Sequence, residues 1–387
     1  MKQFKFIIYL LSFSLLFSYC TTGANNNKTK SPAKKATVDS LTSDLTPEEI
    51  RIYHDEIEAY YNKNLKSKGF NGSILVAKDG VILFEDYHGY VDVPHKKDSI
   101  NANTPFHIAS MSKTLTGTTV LRLWEQGRIS LYDTVQKYLP GFPYHGITIK
   151  TLLDHRSGLP NYLYFLDKRW DSRKKATNQD VFNFMIQYLP PISNLPDRHF
   201  QYCNTNYVLL AMIIEKVTGI AYPQYMQDSV FKPLGMNSTF VFTPADTLNY
   251  VPTYSAGNRI YRMDQTDCTF GDKNIYSTVR DIFAWDKALY EHRFVSQATL
   301  DSAFTPTSNE RHSMHNYGMG WRLYFDKGDS IIYHNGKWHG SNTSFTRLVQ
   351  HKATIIVLGN RANGNIYHAK NMSYIFSGRL NENNLEE

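Results

Sequence analysis

Cysteine is scarce: the 387 residues hold three, and only Cys203 and Cys268 lie beyond the first twenty positions. Two cysteines cannot build a disulfide framework, and no Cys/His cluster has the spacing of a zinc site. Neither a metal nor a cofactor is expected. A basic run is missing too, although the formal net charge is +7. Residues 1–45 carry six lysines against two acids, and the +3 that remains is spread along the chain. A nucleic-acid partner requires a concentrated basic face, so none is expected. There is no internal repeat. Low complexity is confined to the Asn, Lys, Ser and Thr-rich stretch from Thr21 to Ser43, which cannot form a core and reads as a flexible tether.

The N-terminus carries an address. Lys2 and Lys5 precede an apolar run from Phe6 to Phe17, shorter than the roughly 20 residues of a membrane span and shaped like an export signal. Cys20, after Leu16-Phe17-Ser18-Tyr19, is similar to the lipid-acceptor cysteine of bacterial lipoproteins. The alternative is ordinary cleavage after Ala24, with Thr22 and Ala24 as the small residues of the processing site. The expected plan is a signal over residues 1–20, a tether over 21–45 and a folded region over 46–387. The protein is expected to be exported to the cell envelope and held at a membrane by a lipid on Cys20.

With 42% hydrophobic and 20% charged residues, the chain has the composition of a globular protein. Thr46-Pro47-Glu48-Glu49 combines an N-cap, a first-turn proline and a capping-box glutamate, which predicts a helix to about Lys66. Two apolar, β-branched runs, Gly72 to Lys78 and Val81 to His88, flank Asp79-Gly80, a strong hairpin signal. Helical patterns then dominate: Ser110 to Glu125, Ile147 to His155, Asn178 to Tyr188, Asn204 to Thr218, Pro223 to Lys232 and Ser277 to Tyr290. Strand patterns return at Gly318 to Phe325, Ser330 to His334, Asn342 to Gln350 and Ala353 to Gly359, before a closing helix from Ile366 to about Leu380. Strands at both ends of a helical middle predict an α+β fold. One antiparallel sheet would be built from residues 46–105 and 316–387, flanked by helices, with a mainly helical subdomain inserted over 106–315. A site is expected in the cleft between sheet and helices.

Three short signals fit such a cleft. Ser110-Met111-Ser112-Lys113 places a hydroxyl and an amine one helical turn apart, and a serine becomes a useful nucleophile only beside a group that accepts its proton. The spacing recurs at Ser31–Lys34, Ser172–Lys175 and Ser229–Lys232, so context must single out Ser110. That context is its place before a long apolar helix, together with Tyr202-Cys203-Asn204 and His334-Asn335-Gly336 in order behind it.

On these motifs the sequence resembles the serine β-lactamase and penicillin-binding protein superfamily, and more closely the class C β-lactamases and their esterase and peptidase relatives. The resemblance covers about residues 70 to 360. It extends to Phe106-His107-Ile108-Ala109, to Leu152–Pro160, to Ile275–Asp281 and to Tyr317-Gly318-Met319-Gly320-Trp321. It implies a β-lactamase/transpeptidase-like fold and an acyl-enzyme mechanism. Ser110 would be the nucleophile, Lys113 its hydrogen-bonded activator and Tyr202 the proton relay, a role that calls for cationic neighbours or a proton shared with Lys113. Asn204 would orient Lys113 or the substrate amide. Backbone N–H groups of Ser110 and Lys337 would form the oxyanion hole, Gly336 would let the substrate lie against its strand, and His334 would face the substrate. The chain departs from the family pattern in three respects. His334 stands where lysine is common, Asp197 replaces a glycine before the Tyr-x-Asn loop, and no glutamate can be assigned as a deacylation base. The expected function is a serine hydrolase of small esters, D-amino-acid peptides or β-lactam-like amides. The alternative is a penicillin-binding or sensory domain that is acylated but not turned over.

Overall fold

The computed structural model describes residues 41, 43–247 and 250–379. The expected signal, most of the tether and Cys20 lie outside the described residues. The first helix, α1 (Pro47–Asn64), starts at the capping box read from sequence: Glu49 N–H donates to Thr46 Oγ1 at 3.2 Å, and Thr46 N–H donates to Glu49 Oε2 at 2.8 Å. The hairpin follows as β1 (Gly72–Lys78) and β2 (Val81–His88). Asp79 and Gly80 take φ of 49° and 79° between them, the left-handed pair that a two-residue turn of matching twist requires.

The C-terminal strands are β6 (His315–Tyr317), β7 (Arg322–Asp326), β8 (Asp329–Trp338), β9 (Ser341–Leu348) and β10 (Ala353–Gly359). With the hairpin they form a seven-stranded antiparallel sheet in the order β2-β1-β10-β9-β8-β7-β6. The two ends of the folded region meet where β1 pairs with β10, from Gly72 opposite Gly359 to Lys78 opposite Ala353. The expected α+β architecture is therefore present. β8 runs four residues past the expected strand end, and this extension carries Gly336, Lys337 and Trp338.

Each face of the sheet has its own core. Behind it, Ile57 and Tyr61 of α1 pack with Ile74, Val76, Ile355, Val357, Ile366 and Met372. In front lies the larger cluster, centred on α2 (Ser112–Glu125) and α5 (Asn204–Thr218). Both helices are buried almost all round, as expected of core helices rather than amphipathic surface ones. Gly117 of α2 lies against Gly320, where an added Cβ would sit 3.3 Å from the Gly320 Cα. Two further helices, α3 (Tyr162–Arg169) and α4 (Asn178–Tyr188), and a later one, α6 (Val279–Tyr290), are the longest of the others in the segment between the two groups of sheet strands.

A small sheet was not legible from sequence: β3 (Phe106–His107), β5 (Ile275–Ser277) and β4 (Phe240–Val241) pair in that order. Strands of two or three residues are too short to show a period. The expected closing helix is instead a tighter 3-10 segment, Gly364–Met372, followed by a short α-helix, Ser373–Phe376.

Candidate active site

Ser110 sits in a single 3-10 turn, Ala109–Met111, between β3 and α2. Ala109 is held at φ 50°, a sharp bend of the kind that lifts a nucleophile out of its backbone. The turn rests on β8 at Gly336. A Cβ there would come within 2.3 Å of Thr343 Oγ1 and 2.4 Å of the Ile108 carbonyl, and Thr343 Oγ1 donates to that same carbonyl at 2.9 Å. Glycine is therefore required at 336 for the protein's own turn to dock, in addition to any substrate.

Lys113 opens the first turn of α2 and is completely buried. Its Nζ donates to Ser110 Oγ at 3.3 Å, Asn204 Oδ1 at 2.8 Å and the Asp272 carbonyl at 2.8 Å. An ammonium has three donors, and here each has an acceptor. Nζ also lies 4.9 Å from the Tyr202 ring centre, while the Arg322 guanidinium lies 5.2 Å from the same ring. The structure thus brings Ser110, Lys113, Tyr202 and Asn204 together, and Ser110, Tyr202, Asn204, Gly336 and Lys337 all line one cleft of about 400 Å³.

His334 does not reach the cleft wall. It is fully buried behind Tyr202, with Nδ1 2.8 Å from the Asn335 carbonyl and Nε2 3.3 Å from the Tyr317 hydroxyl. Burial, then the nearby cations Arg322 and Lys113, hold its pKa well below the ordinary imidazole value. His334 is neutral at neutral pH and cannot act there as a cationic anchor.

The Tyr202 loop is fixed from behind by the Leu152–Pro160 segment. Cys203 N–H donates to His155 Nδ1 at 3.1 Å, and Asn206 joins Ser157 Oγ at 2.7 Å and the Leu152 carbonyl at 3.1 Å. His155 packs its ring 4.3 Å from that of Tyr202. Burial and the Lys113 charge keep it neutral, with a pKa well below 6.5. Cys203 is a buried free thiol that burial pushes up to about 11, a space-filler without nucleophilic character. Asp197, in the slot where the family has glycine, adopts φ 61°. Aspartate tolerates that conformation better than most residues, and Arg156 secures it with Nε donating to Oδ1 at 2.6 Å and Nη2 to the carbonyl at 2.8 Å.

Among the cleft-wall residues that sequence reasoning missed are Asp272, Lys273, Arg322 and Trp338. Arg322 makes no ion pair among the described residues. Trp338 is oriented by Asp267, whose Oδ1 accepts its indole N–H at 2.6 Å. Asp264, Asp267 and His339 place ligand atoms within 4.8 Å of one another outside this cleft. The Asp267 oxygens there are already taken by Trp338, by His339 at 3.1 Å and by Asp264 N–H at 2.5 Å, which makes the group a strap for Trp338.

Over residues 58–378 the chain matches the family described as Beta-lactamase. It is 36% identical over 310 residues to Penicillin-binding protein 4* of Bacillus subtilis (strain 168), spanning 76% of this chain and 68% of that protein. It is 30% identical over 309 residues to the putative penicillin-binding protein PbpX of the same organism, spanning 78% and 72%. Its fold aligns with a penicillin-binding protein from Bacillus halodurans at a TM-score of 0.69 and 20% identity, over 85% of this chain and 98% of that one. A D-amino acid amidase from Ochrobactrum anthropi SV3 aligns at 0.67 and 23%, over 86% and 98%. With a family match across nearly all of its folded length, the chain belongs to the β-lactamase/transpeptidase-like family of the serine hydrolase superfamily.

Proposed function

We propose that this protein is an exported serine hydrolase that works through an acyl-enzyme on Ser110. Its substrates would be small esters, D-amino-acid peptides or β-lactam-like amides, with peptides ending in a free carboxylate favoured. The supporting observation is the contact of Ser110 Oγ with a buried Lys113 Nζ at 3.3 Å, with Asn204 on the same nitrogen and Tyr202 in the same cleft. In this mechanism the Lys113 ammonium favours the attacking form of Ser110 Oγ, whose proton passes to the Tyr202 oxygen as it attacks the carbonyl carbon and from there to the leaving nitrogen or oxygen. The backbone N–H groups of Ser110 and Lys337 stabilise the developing oxyanion, worth about 3–4 kcal/mol per donor in comparable enzymes. Water, deprotonated by Tyr202, then adds to the ester and releases the acid. Arg322, a cation beside the Tyr202 ring, supplies the carboxylate anchor that neutral His334 does not, through the fork geometry in which guanidinium binds carboxylate.

The test is a panel of nitrophenyl esters, nitrocefin and D-alanyl peptides run beside Ser110→Ala. Undiminished labelling of that variant by a fluorophosphonate or penicillin probe would sink the assignment. A second reading is favoured by the cleft wall, which among the described residues holds no glutamate: deacylation then rests on Tyr202, and a slow step would make the protein a penicillin-binding sensor. An acyl-enzyme lifetime of hours rather than minutes would select it. Envelope location rests on the N-terminal residues alone. Release of Cys20→Ser from the membrane fraction, with retention of the parent protein, is the expected result.

A further inference from the structure

The two backbone donors assigned to the oxyanion lie on different segments, and only one of them is set by the Ser110 turn. The other, Lys337 N–H, belongs to the last residues of β8, where the strand has lost a neighbour. β7 pairs with β8 only from Asp329 to Tyr333, whereas β9 accompanies it to its end, with Lys337 opposite Asn342. Over residues 336–338 the edge that faces away from β9 has no strand partner among the described residues, and all three line the cleft. A strand held from one side can rotate its peptide planes, and an oxyanion donor is effective only when its N–H is already aimed.

A side chain from beyond β10 reaches this peptide. Tyr367, in the 3-10 segment Gly364–Met372, donates its hydroxyl to the Gly336 carbonyl at 3.1 Å and itself lines the cleft. The direction of that bond is set by the groups behind it. Asn363 N–H, a backbone group that can only donate, gives to Asn342 Oδ1 at 2.8 Å. The Asn342 amide nitrogen is thereby turned toward Tyr367 and donates to its oxygen. With a lone pair engaged in this way, the one phenolic proton is left for Gly336. Burial raises the Tyr367 pKa above the ordinary phenol value, so the proton is kept at neutral pH.

The Gly336 carbonyl and Lys337 N–H are two ends of one planar, trans peptide unit. Fixing the carbonyl end fixes the N–H end, and the successive hydrogen bonds from Asn363 onward polarise the unit in the sense that strengthens its N–H as a donor. Gly336 also packs against the Ile108 carbonyl and Ala109, next to Ser110. It is thus held both by the turn that carries one oxyanion donor and by the hydroxyl that aims the other. We propose that Tyr367 is a positioning residue for the oxyanion hole, acting through the Gly336–Lys337 peptide, with Asn342 orienting the Tyr367 hydroxyl. This rests on the acyl-enzyme reading above.

Tyr367→Phe removes only the hydroxyl. Rates are taken per active site, counted by the fluorophosphonate label on Ser110 at completion, so that loss of folded protein cancels. On the nitrophenyl ester that the parent hydrolyses best, kcat should fall about tenfold, a share of the roughly 10²–10³ that loss of a whole oxyanion-hole donor costs. KM should stay nearly unchanged, because acylation and deacylation both pass through an oxyanion and slow together, while the bound ester gains little from the hole. Affinity for an arylboronic acid, whose tetrahedral adduct on Ser110 places an oxygen between the two donors, should fall by a similar factor. Asn342 is not on the cleft wall, so Asn342→Ala should lower kcat at least severalfold without touching the substrate. An unchanged kcat in either variant, or boronic acid held as tightly as by the parent, overturns the proposal. A raised KM at constant kcat overturns it too, since Tyr367 would then be a substrate contact. If Tyr367→Phe does not fold, Asn342→Ala decides by the same readings. Absence of label from the parent protein is a separate failure, that of the acyl-enzyme reading itself.

Discussion

Three buried histidines should make the fold sensitive to mild acid. Burial lowers His107 to about 4, and burial followed by cationic neighbours holds His155 and His334 well below 6.5. Folding thus excludes a proton at each site that the unfolded chain binds below pH 6.5. This contribution to stability is fully present above pH 6.5 and is lost as the pH falls toward the folded values. Each site adds a slope of about 1.4 kcal/mol per pH unit. At pH 5 His107 alone costs about 2 kcal/mol against a typical total of about 5–15 kcal/mol, and His155 and His334 act in the same direction. The buried carboxylates oppose this trend: burial raises Asp154 to about 6, so its ionisation costs stability as pH rises from 3.8 through 6. Comparison of variants with the parent removes that background. Urea unfolding between pH 7.5 and 5 should give His155→Gln and His334→Gln parallel behaviour to the parent above pH 6.5 and a shallower pH slope below it, by up to about 1.4 kcal/mol per pH unit each, whatever their absolute stability. Parallel slopes below pH 6.5 would refute the reasoning, because they would mean that these imidazoles take up protons in the folded state as readily as in the unfolded one.

The remaining expectations concern the cleft. Lys113→Ala and Tyr202→Phe should each lower kcat/KM by about 10²–10⁴, the usual weight of a proton-transfer group, measured on the nitrophenyl ester that the parent hydrolyses best. Gly336→Ala should push the Ala109–Met111 turn off β8, because its Cβ meets a backbone carbonyl at 2.4 Å. Activity should fall by at least a hundredfold, with about 1–3 kcal/mol lost in urea unfolding. Arg322→Gln should raise KM for D-alanyl peptides with a free C-terminal carboxylate by tenfold or more, and leave KM for the corresponding C-terminal amides nearly unchanged. Equal effects on both would remove Arg322 from carboxylate recognition.

The signals that sequence carried well were local ones. Thr46 and Glu49 cap α1 across three residues, Asp79 and Gly80 dictate a turn across two, and the bounds of α4, α5, β1, β2 and β10 follow from patterns contained within each element. The Ser110–Lys113 pair belongs to this class, because helix geometry alone brings the two side chains together. What completes the site is of the other kind. The second and third partners of Lys113 Nζ come from Asn204 and Asp272, 91 and 159 residues away, and Gly336 is required by a carbonyl at position 108. His334 has the polarity of an exposed ligand in the sequence, but Tyr202 and Tyr317 close over it. Asp272 and Lys273 carry no motif of their own, and only the packing of Tyr162, Thr269 and Trp338 around them makes a buried charged pair on the cleft wall. The division has a chemical logic. The reacting hydroxyl and its activator share one turn and tolerate little change in spacing, whereas selectivity is assembled from segments joined only by the fold. A chain in this family can therefore keep a legible nucleophile while residues from distant segments, here 272, 273 and 322, line the rest of its cleft.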